Sequence, residues 1–155
     1  MDEEILDGTN VVALTLPYPI SANRYWATHV MKGSGGKPAR AITYVTNEAK
    51  AYRIKVGWEA MRAGIRQPLK GRVCVSCYLY PSRPMDWARR QRKDPEFWED
   101  SIRCIDLGNC EKIMSDALQG TVIENDKSIW RLALNRMECD EDGARLVVYV
   151  RPYKS

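Results

Sequence analysis

The sequence predicts an α+β fold, with 1–155 as a single domain and a mostly antiparallel or mixed sheet that carries two main helices on one face. The length of 155 residues suits one domain with one core. Side chains over Arg72–Tyr80 alternate as in a strand, and apolar residues recur at helical spacing over Asn109–Gln119. Strands and helices follow one another without a regular βαβ alternation, which favours α+β over α/β.

The first third of the chain indicates two short strands separated by a turn and a loop. Residues 1–10 are polar and are expected to be frayed. Prolines after the first strand end it, because proline cannot continue a sheet ladder, and the glycines further on indicate a flexible basic loop. In chain order we expect a strand, a polar-aromatic turn, the basic loop and a second strand at Val11–Leu16, Ser21–Trp26, Lys32–Pro38 and Ala41–Val45.

The two predicted helices have clear start and stop signals. Thr46 or Asn47 can cap the first helix, which runs to about Ala63 and ends at Gly64. The second helix covers Asn109–Gln119. Its apolar stripe consists of Cys110, Ile113, Met114, Ala117 and Leu118.

The rest of the chain adds three strands and one irregular segment. The segment Asp86–Ile102 is dense in charge and holds three aromatic residues. It is predicted to form a short helix or an ordered lid. The predicted strands are Arg72–Tyr80, Ile129–Leu134 and Ala144–Val150.

The composition predicts a globular, cytoplasmic protein without a membrane span. Hydrophobic residues make up 45% of the chain, charged residues 28%, and the net charge of +4 permits nucleic-acid binding without requiring it. The number of cysteines is odd and the segment Met1–Asp7 is acidic, so we expect reduced thiols and no secretory signal. Cys74 and Cys77 have C-x-x-C spacing, but they would point to opposite faces of a strand, which favours burial over zinc binding.

Polar residues on and around the second helix are the main candidates for chemistry. Asp106 precedes the helix, Lys112 and Asp116 lie on one side of it, and Asp126 follows in a turn that can return near Asp106. Two carboxylates beside a lysine suit Mg²⁺ binding and metal-assisted phosphodiester hydrolysis. The same residue types also form ordinary helix caps and turns. The spacing alone therefore leaves both interpretations open.

Several ordered motifs resemble the RusA family of crossover-junction endodeoxyribonucleases. Leu16–Trp26, which reads LPYPISANRYW, resembles the family's opening stretch, and Thr46–Arg53 resembles its first helix. The family then has Asp-x-Asp-Asn, a lysine three residues later, an Asp-Ala-Leu helix end and a paired-acid turn before a strand. The corresponding residues here are Asp106-Leu107-Gly108-Asn109, Lys112, Asp116-Ala117-Leu118 and Asn125-Asp126. The resemblance runs from about Val11 to the C-terminus, with 86–102 looking like an insertion.

The resemblance implies a homodimeric nuclease that binds four-way (Holliday) DNA junctions and cuts two opposing strands with Mg²⁺ or Mn²⁺, in phage or prophage DNA processing. Carried over by position, it implies that Asp106 and Asp126 are metal ligands and that Lys112 is the catalytic lysine. The same carboxylates would suit a nuclease for flaps or forks, which the sequence does not distinguish from a junction resolvase.

Two positions depart from the family pattern. Gly108 stands where the family has its second aspartate, and Asn125 replaces the first acid of the paired turn. Asp116 and Glu124 are the possible substitute ligands, whereas Glu111 is expected to point away from Lys112 because it lies about 100° around the helix. The alternative function is a protein that binds junctions or other branched DNA with weakened or lost catalysis.

DNA contacts are expected from basic and polar residues in two regions. A junction-binding protein holds phosphates mainly with lysine and arginine. The local alternative is that the acids that follow directly, Asp94, Glu96, Glu99 and Asp100, pair with the arginines of 86–102. Trp58 is expected in the core or a dimer interface, and Trp130 in the core. The candidate DNA-binding residues are Asn23, Arg24, Tyr25, Lys32 and Lys37 near the N-terminus and Arg89, Arg90 and Arg92 in the insertion.

Overall fold

The computed structural model describes residues 10–154, so the expected fraying of residues 1–9 lies outside the described part. The helices are α1 Ala22–Tyr25, α2 Asn47–Arg62, α3 Trp87–Lys93 and α4 Leu107–Leu118. The strands are β1 Val12–Pro17, β2 Trp26–Met31, β3 Arg40–Val45, β4 Val73–Tyr80, β5 Ile129–Arg136 and β6 Arg145–Pro152.

The main sheet is mixed and has the strand order β1-β6-β4-β5. β6 pairs antiparallel with both β1 and β4, whereas β4 pairs parallel with β5. Parallel neighbours need a long crossover connection, and here that crossover contains α3 and α4. The predicted mixed sheet with two main helices is confirmed.

One face of this sheet and one stripe of each main helix form the core. The four alternate residues on one face of β4 are all buried, together with the same-face residues of β1 and β6. The five residues of the predicted α4 stripe are buried in the same cluster, and so are Ala49, Tyr52, Val56 and Ala60 of α2. Both helices therefore pack on the same face, as predicted.

The two ends of α2 follow from its sequence. The Thr46 side chain accepts a hydrogen bond from the Ala49 backbone N–H at 3.2 Å, so Thr46 is the N-cap. Gly64 has a φ of +84°, the left-handed conformation in which glycine commonly ends a helix.

β2 and β3 form a separate two-stranded antiparallel sheet, which we call the ribbon (Trp26–Val45). The sequence predicted β3 but not β2. The predicted Ser21–Trp26 turn contains the short helix α1, and the chain is extended from Trp26 to Met31. Both faces of the ribbon meet solvent, so its strands do not need to alternate apolar and polar residues. Without that alternation, the sequence gives no strand signal for β2.

The segment 86–102 contains α3 and a 3₁₀ turn at Trp98–Ser101. Trp87 and Trp98 pack against each other with ring centroids 6.3 Å apart. Arg90 ties the two pieces together, because it pairs with Asp86 at 2.8 Å and donates to the Ser101 carbonyl at 3.1 Å.

Two tryptophans lie at the surface. Trp130 on β5 is 53% exposed and Trp58 on α2 is 59% exposed. Trp130 lies on the edge strand β5, where the pairing with β4 shifts register, and the Arg72 guanidinium covers its ring at 3.7 Å from the centroid. The prediction that Trp130 lies in the core is wrong. Trp58 is not in the core either, so its predicted place in a dimer interface stays a prediction.

The cysteines are all free thiols. Cys74 and Cys77 are buried on β4, as expected from the strand pattern. Among residues 10–154, no helix has the length and apolar character needed to cross a membrane.

Candidate active site

The N-terminus of α4 is built around Asp106. Its carboxylate accepts hydrogen bonds from Asn109 through the backbone N–H at 2.8 Å and the side-chain amide at 2.6 Å. The Asn109 backbone N–H in particular holds the pKa of Asp106 below its usual value, so this exposed group is ionised at neutral pH. These bonds use two of the roughly four lone-pair positions of a carboxylate, which leaves capacity for a further ligand.

Lys112 and Asp126 line the same open cavity of about 540 Å³. Lys112 lies on the exposed side of α4, and Asp126 lies in the 3₁₀ turn before β5. Within the described part of the chain, no hydrogen bond or ion pair engages the Asp126 carboxylate. The cavity wall contains both polar and apolar side chains: Trp26, Glu111, Ser115, Asp116, Gln119, Ile129, Trp130 and Leu132.

Asp106 lines a second cavity, of about 810 Å³, and not the first. Asn109 and three arginines, Arg24, Arg90 and Arg103, also line it. The structure thus brings Lys112 to Asp126 but places Asp106 in the neighbouring cavity along α4. In residues 10–154, no three acidic, histidine or cysteine side chains form a ready metal-binding group.

Asp116 is engaged by other side chains of the protein. Its Oδ2 accepts hydrogen bonds from the Arg53 Nε at 2.8 Å and from the hydroxyl of Tyr25. Burial, followed by the hydrogen bond to Asp116, raises the pKa of Tyr25 to about 12. Asp116 therefore joins α4 to α2 and α1, a structural task that the sequence pattern did not reveal.

Glu124, the other proposed substitute ligand, contacts the backbone at Gly71. Its carboxylate accepts a hydrogen bond from the Gly71 backbone N–H at 3.3 Å. It does not line the cavity of Lys112 and Asp126.

Glu111 does line that cavity, contrary to the expectation that it points away from Lys112. At 100° per residue, the cavity-lining residues of α4 span about 140° of the helix circumference. Glu111 and Lys112 are about 100° apart, so both can line the cavity. Glu111 Oε1 accepts a hydrogen bond from Ser115 at 3.2 Å. No sequence motif indicates Glu111, because its place depends on where the chain after α4 returns.

A side chain at Gly108 would face Asp106 at close range, so the Asp106 carboxylate would have to shift by a few tenths of an ångström. A Cβ atom there would have one neighbour within 4 Å, the Asp106 Oδ1 at 3.3 Å. Gly108 is in the first turn of α4, where the helix dipole also favours an acidic side chain. An aspartate at this position would therefore place a second carboxylate beside Asp106.

The family model for endodeoxyribonuclease RusA matches residues 17–151, which is most of the chain. The chain belongs to the RusA family. No curated protein sequence matches it. The RusA match includes α4, both cavities, the ribbon and the segment 86–102. Membership of this family indicates an endonuclease that resolves Holliday junctions.

The RusA match also includes the predicted DNA-contact residues, and the structure gives them different surroundings. Asn23, Lys32, Lys37 and Arg92 are exposed. Tyr25 is fully buried and its hydroxyl is bonded to Asp116, so this structure does not present Tyr25 to DNA.

The three remaining arginines have acidic partners. The Arg24 Nε lies 3.1 Å from a carboxylate oxygen of Glu48. Arg89 and Arg90 both pair with Asp86, which precedes them, and not with the acids that follow them in the chain.

Replacing Asp116 with asparagine should destabilise the fold without changing its metal requirement. The charged hydrogen bonds from Arg53 and Tyr25 would be weakened, which should lower the free energy of unfolding by about 2 kcal/mol. Urea unfolding measures that loss, and Tyr25→Phe should show a smaller loss of about 1 kcal/mol. Unchanged stability together with a raised Mg²⁺ requirement would instead make Asp116 a metal ligand.

Proposed function

We propose that this RusA-family protein is a Mg²⁺- or Mn²⁺-dependent endonuclease that resolves four-way DNA junctions as a homodimer by symmetric phosphodiester hydrolysis. The observation that carries the proposal is the shared cavity of Lys112 and Asp126, with the Asp106-capped start of the same helix next to it. The catalytic residues in this proposal are Asp106, Lys112 and Asp126.

The available carboxylates are too few to surround a cation with protein ligands alone. They suit a hard cation that keeps several of its water ligands. Mg²⁺ takes one or two carboxylates, keeps several waters and accepts phosphate oxygens. Asp126 is exposed and unengaged within the described residues, and ionised Asp106 keeps free lone pairs. Asp106 and Asp126 would hold the cation together with a DNA phosphate. When bound, the cation would neutralise phosphate charge and supply an activated water.

Lys112 has a role that does not depend on metal ligation. Its ammonium group lines the cavity at an exposed position beside Asp126. A phosphodiester gains negative charge as it is attacked, and a fixed cation next to it lowers the barrier. Lys112 would also attract the DNA backbone to the cavity.

Gly108 is the specific observation that favours the alternative function. A site that lacks the family's second aspartate has fewer negative charges to hold a cation. In that alternative, the protein binds branched DNA and cuts it poorly or not at all. Binding that persists in chelator, with no cleavage in Mg²⁺ or Mn²⁺, would distinguish it from the nuclease.

The homodimer proposal is supported by an uncovered apolar stripe on α2. Ile54, Trp58 and Met61 recur at i, i+4 and i+7, and each is more than half exposed. One copy of the stripe can pack on a second copy about a two-fold axis, which gives an isologous interface. A two-fold protein also matches the two strands that are cut at a four-way junction.

Cleavage of a synthetic four-way junction tests the proposed activity. With Mg²⁺ we expect paired symmetric nicks on the junction and none on the matched linear duplex. Asp126→Asn should lower the cleavage rate by roughly 100-fold or more, whereas Asp100→Asn, at an exposed acid in the insertion, should leave it unchanged. Full activity of Asp126→Asn would remove this carboxylate from the mechanism.

Gly108→Asp should strengthen the metal site. The new carboxylate would lie beside Asp106, so the Mg²⁺ concentration that gives half-maximal cleavage should fall by on the order of tenfold. Gly108→Asn, which has the same size without the charge, is the matched control. Identical Mg²⁺ titrations for all three proteins would show that position 108 does not contribute to metal binding.

Trp58→Glu should convert the dimer to a monomer, because it places a charge at the centre of the proposed apolar interface. Sedimentation velocity measures the mass directly. Met85→Glu, at a fully exposed apolar residue elsewhere, controls for the added charge. A Trp58→Glu protein that remains dimeric would place the interface on another surface.

A further inference from the structure

The ribbon is a two-stranded sheet with both faces exposed. Within residues 10–154 its strands pair only with each other, from Trp26↔Val45 at the root to Met31↔Arg40 at the outer end. Residues 28–31 and 40–44 are all exposed, and successive residues of a strand point to opposite faces, so neither face is covered. A two-stranded hairpin is marginally stable alone, so a ribbon with two open faces is suited to a partner that covers it.

The outer end of the ribbon is a defined turn. A Cβ atom at Gly33 would overlap the carbonyl oxygen of Lys37, so this position requires glycine. Gly35 and Gly36 have φ values of +59° and +79°, in the left-handed region that glycine favours. The Lys37 N–H donates to the Ser34 carbonyl at 3.2 Å and closes the turn.

The charged residues of the ribbon are all basic. The sequence contains no aspartate or glutamate between Asp7 and Glu48, whereas Lys32, Lys37 and Arg40 all lie at the outer end of the ribbon. Each of the three is exposed, and none forms an ion pair with a residue in 10–154. An unpaired cationic tip of this kind attracts a polyanion.

The dimensions of the ribbon fit a DNA groove. Six residue pairs at about 3.3 Å per residue make strands about 20 Å long. The major groove of B-DNA is about 12 Å wide and admits a two-stranded ribbon, whereas the minor groove is only about 6 Å wide. Thr28 and Thr43 pair across the strands and face the same side, with their hydroxyl oxygens 3.1 Å apart. Hydroxyls and small side chains on that face allow a close approach to base edges.

We propose that the ribbon is a DNA-binding arm that lies in the major groove of a duplex arm of the substrate, with Lys32, Lys37 and Arg40 on the phosphates. This inference rests on the proposed function for the identity of the substrate, but its three cations lie outside both cavities. The ribbon would hold a duplex arm while the cavity of Lys112 and Asp126 acts at the branch point. It would therefore contribute to affinity and leave the chemical step unchanged.

Neutralising the three cations tests the arm. We compare the wild-type protein with Lys32→Gln/Lys37→Gln/Arg40→Gln in titrations of a four-way junction at several salt concentrations. The slope of log K against log salt should become shallower by about 1 for each lost phosphate contact, hence about 3 per chain. Affinity near 0.1 M salt should fall at least about tenfold.

A control variant removes the same charge from another surface. Lys55→Gln/Arg66→Gln/Lys70→Gln changes three exposed cations on and after α2 and should leave the slope near the wild-type value. Circular dichroism and sedimentation velocity show whether each variant is folded and has the wild-type mass. A ribbon variant that binds normally but loses its dimer would make the ribbon a subunit contact and overturn the proposal.

Dimethyl sulfate protection tests the groove, because this reagent methylates guanine N7 in the major groove. Guanines in one duplex arm should be protected by the wild-type protein and by the control variant, and exposed with the ribbon variant. An unchanged salt slope and an unchanged protection pattern would overturn the arm while leaving the cleavage assay to decide the proposed function. Conversely, ribbon-dependent binding without cleavage would retain the arm and reject the nuclease.

Discussion

The hydrogen-bonded ion pair between Arg53 and Asp116, with the hydroxyl of Tyr25, is the interaction on which the arrangement of the functional parts depends. Asp116 lies on α4, Arg53 on α2, and Tyr25 at the end of α1, directly before the ribbon. Lys112 is one helical turn before Asp116, so fixing Asp116 also fixes the side of α4 on which the lysine lies. Removing charges from water is costly, and such a pair is retained best where its hydrogen bonds specify one geometry. Here that geometry relates the cavity to the root of the ribbon.

The root of the ribbon is closed by a second set of bonds beside the first. The Thr46 N–H donates to the Tyr25 carbonyl at 3.0 Å, and the Thr46 hydroxyl donates to the carbonyl of Arg24. Thr46 is also the N-cap of α2. One residue therefore follows the last strand of the ribbon, starts a main helix and holds the chain that leaves α1. Because these bonds converge on Thr46, an arm with two open faces can keep a fixed position relative to α2.

The sequence predicted the parts that one-dimensional patterns determine. The alternation on β4 and the apolar stripe on α4 each predict which side of the element is buried. In the structure, those sides face the core. Patterns failed where both sides of an element meet solvent, as on β2, or where an edge strand exposes a large residue, as at Trp130. The side chains around the candidate site were harder to predict, because they depend on distant partners. Nothing near Asp116 in the sequence indicates Arg53, and no motif indicates that Glu111 shares a cavity with a residue after α4.

The balance of charge around α4 gives a physical reason why a nuclease site can work without a carboxylate at position 108. The cavity of Asp106 is lined by three arginines, and that of Asp126 by Lys112 together with Glu111 and Asp116. Two of those arginines, Arg24 and Arg90, are already paired with acids, which moderates their repulsion of a cation. The positive charges of Arg103 and Lys112 favour phosphate. A phosphate oxygen is itself a good ligand for Mg²⁺, so DNA can supply part of the negative charge that Gly108 does not. In the proposed function, cation and DNA would then bind cooperatively, and the free protein would hold the cation weakly.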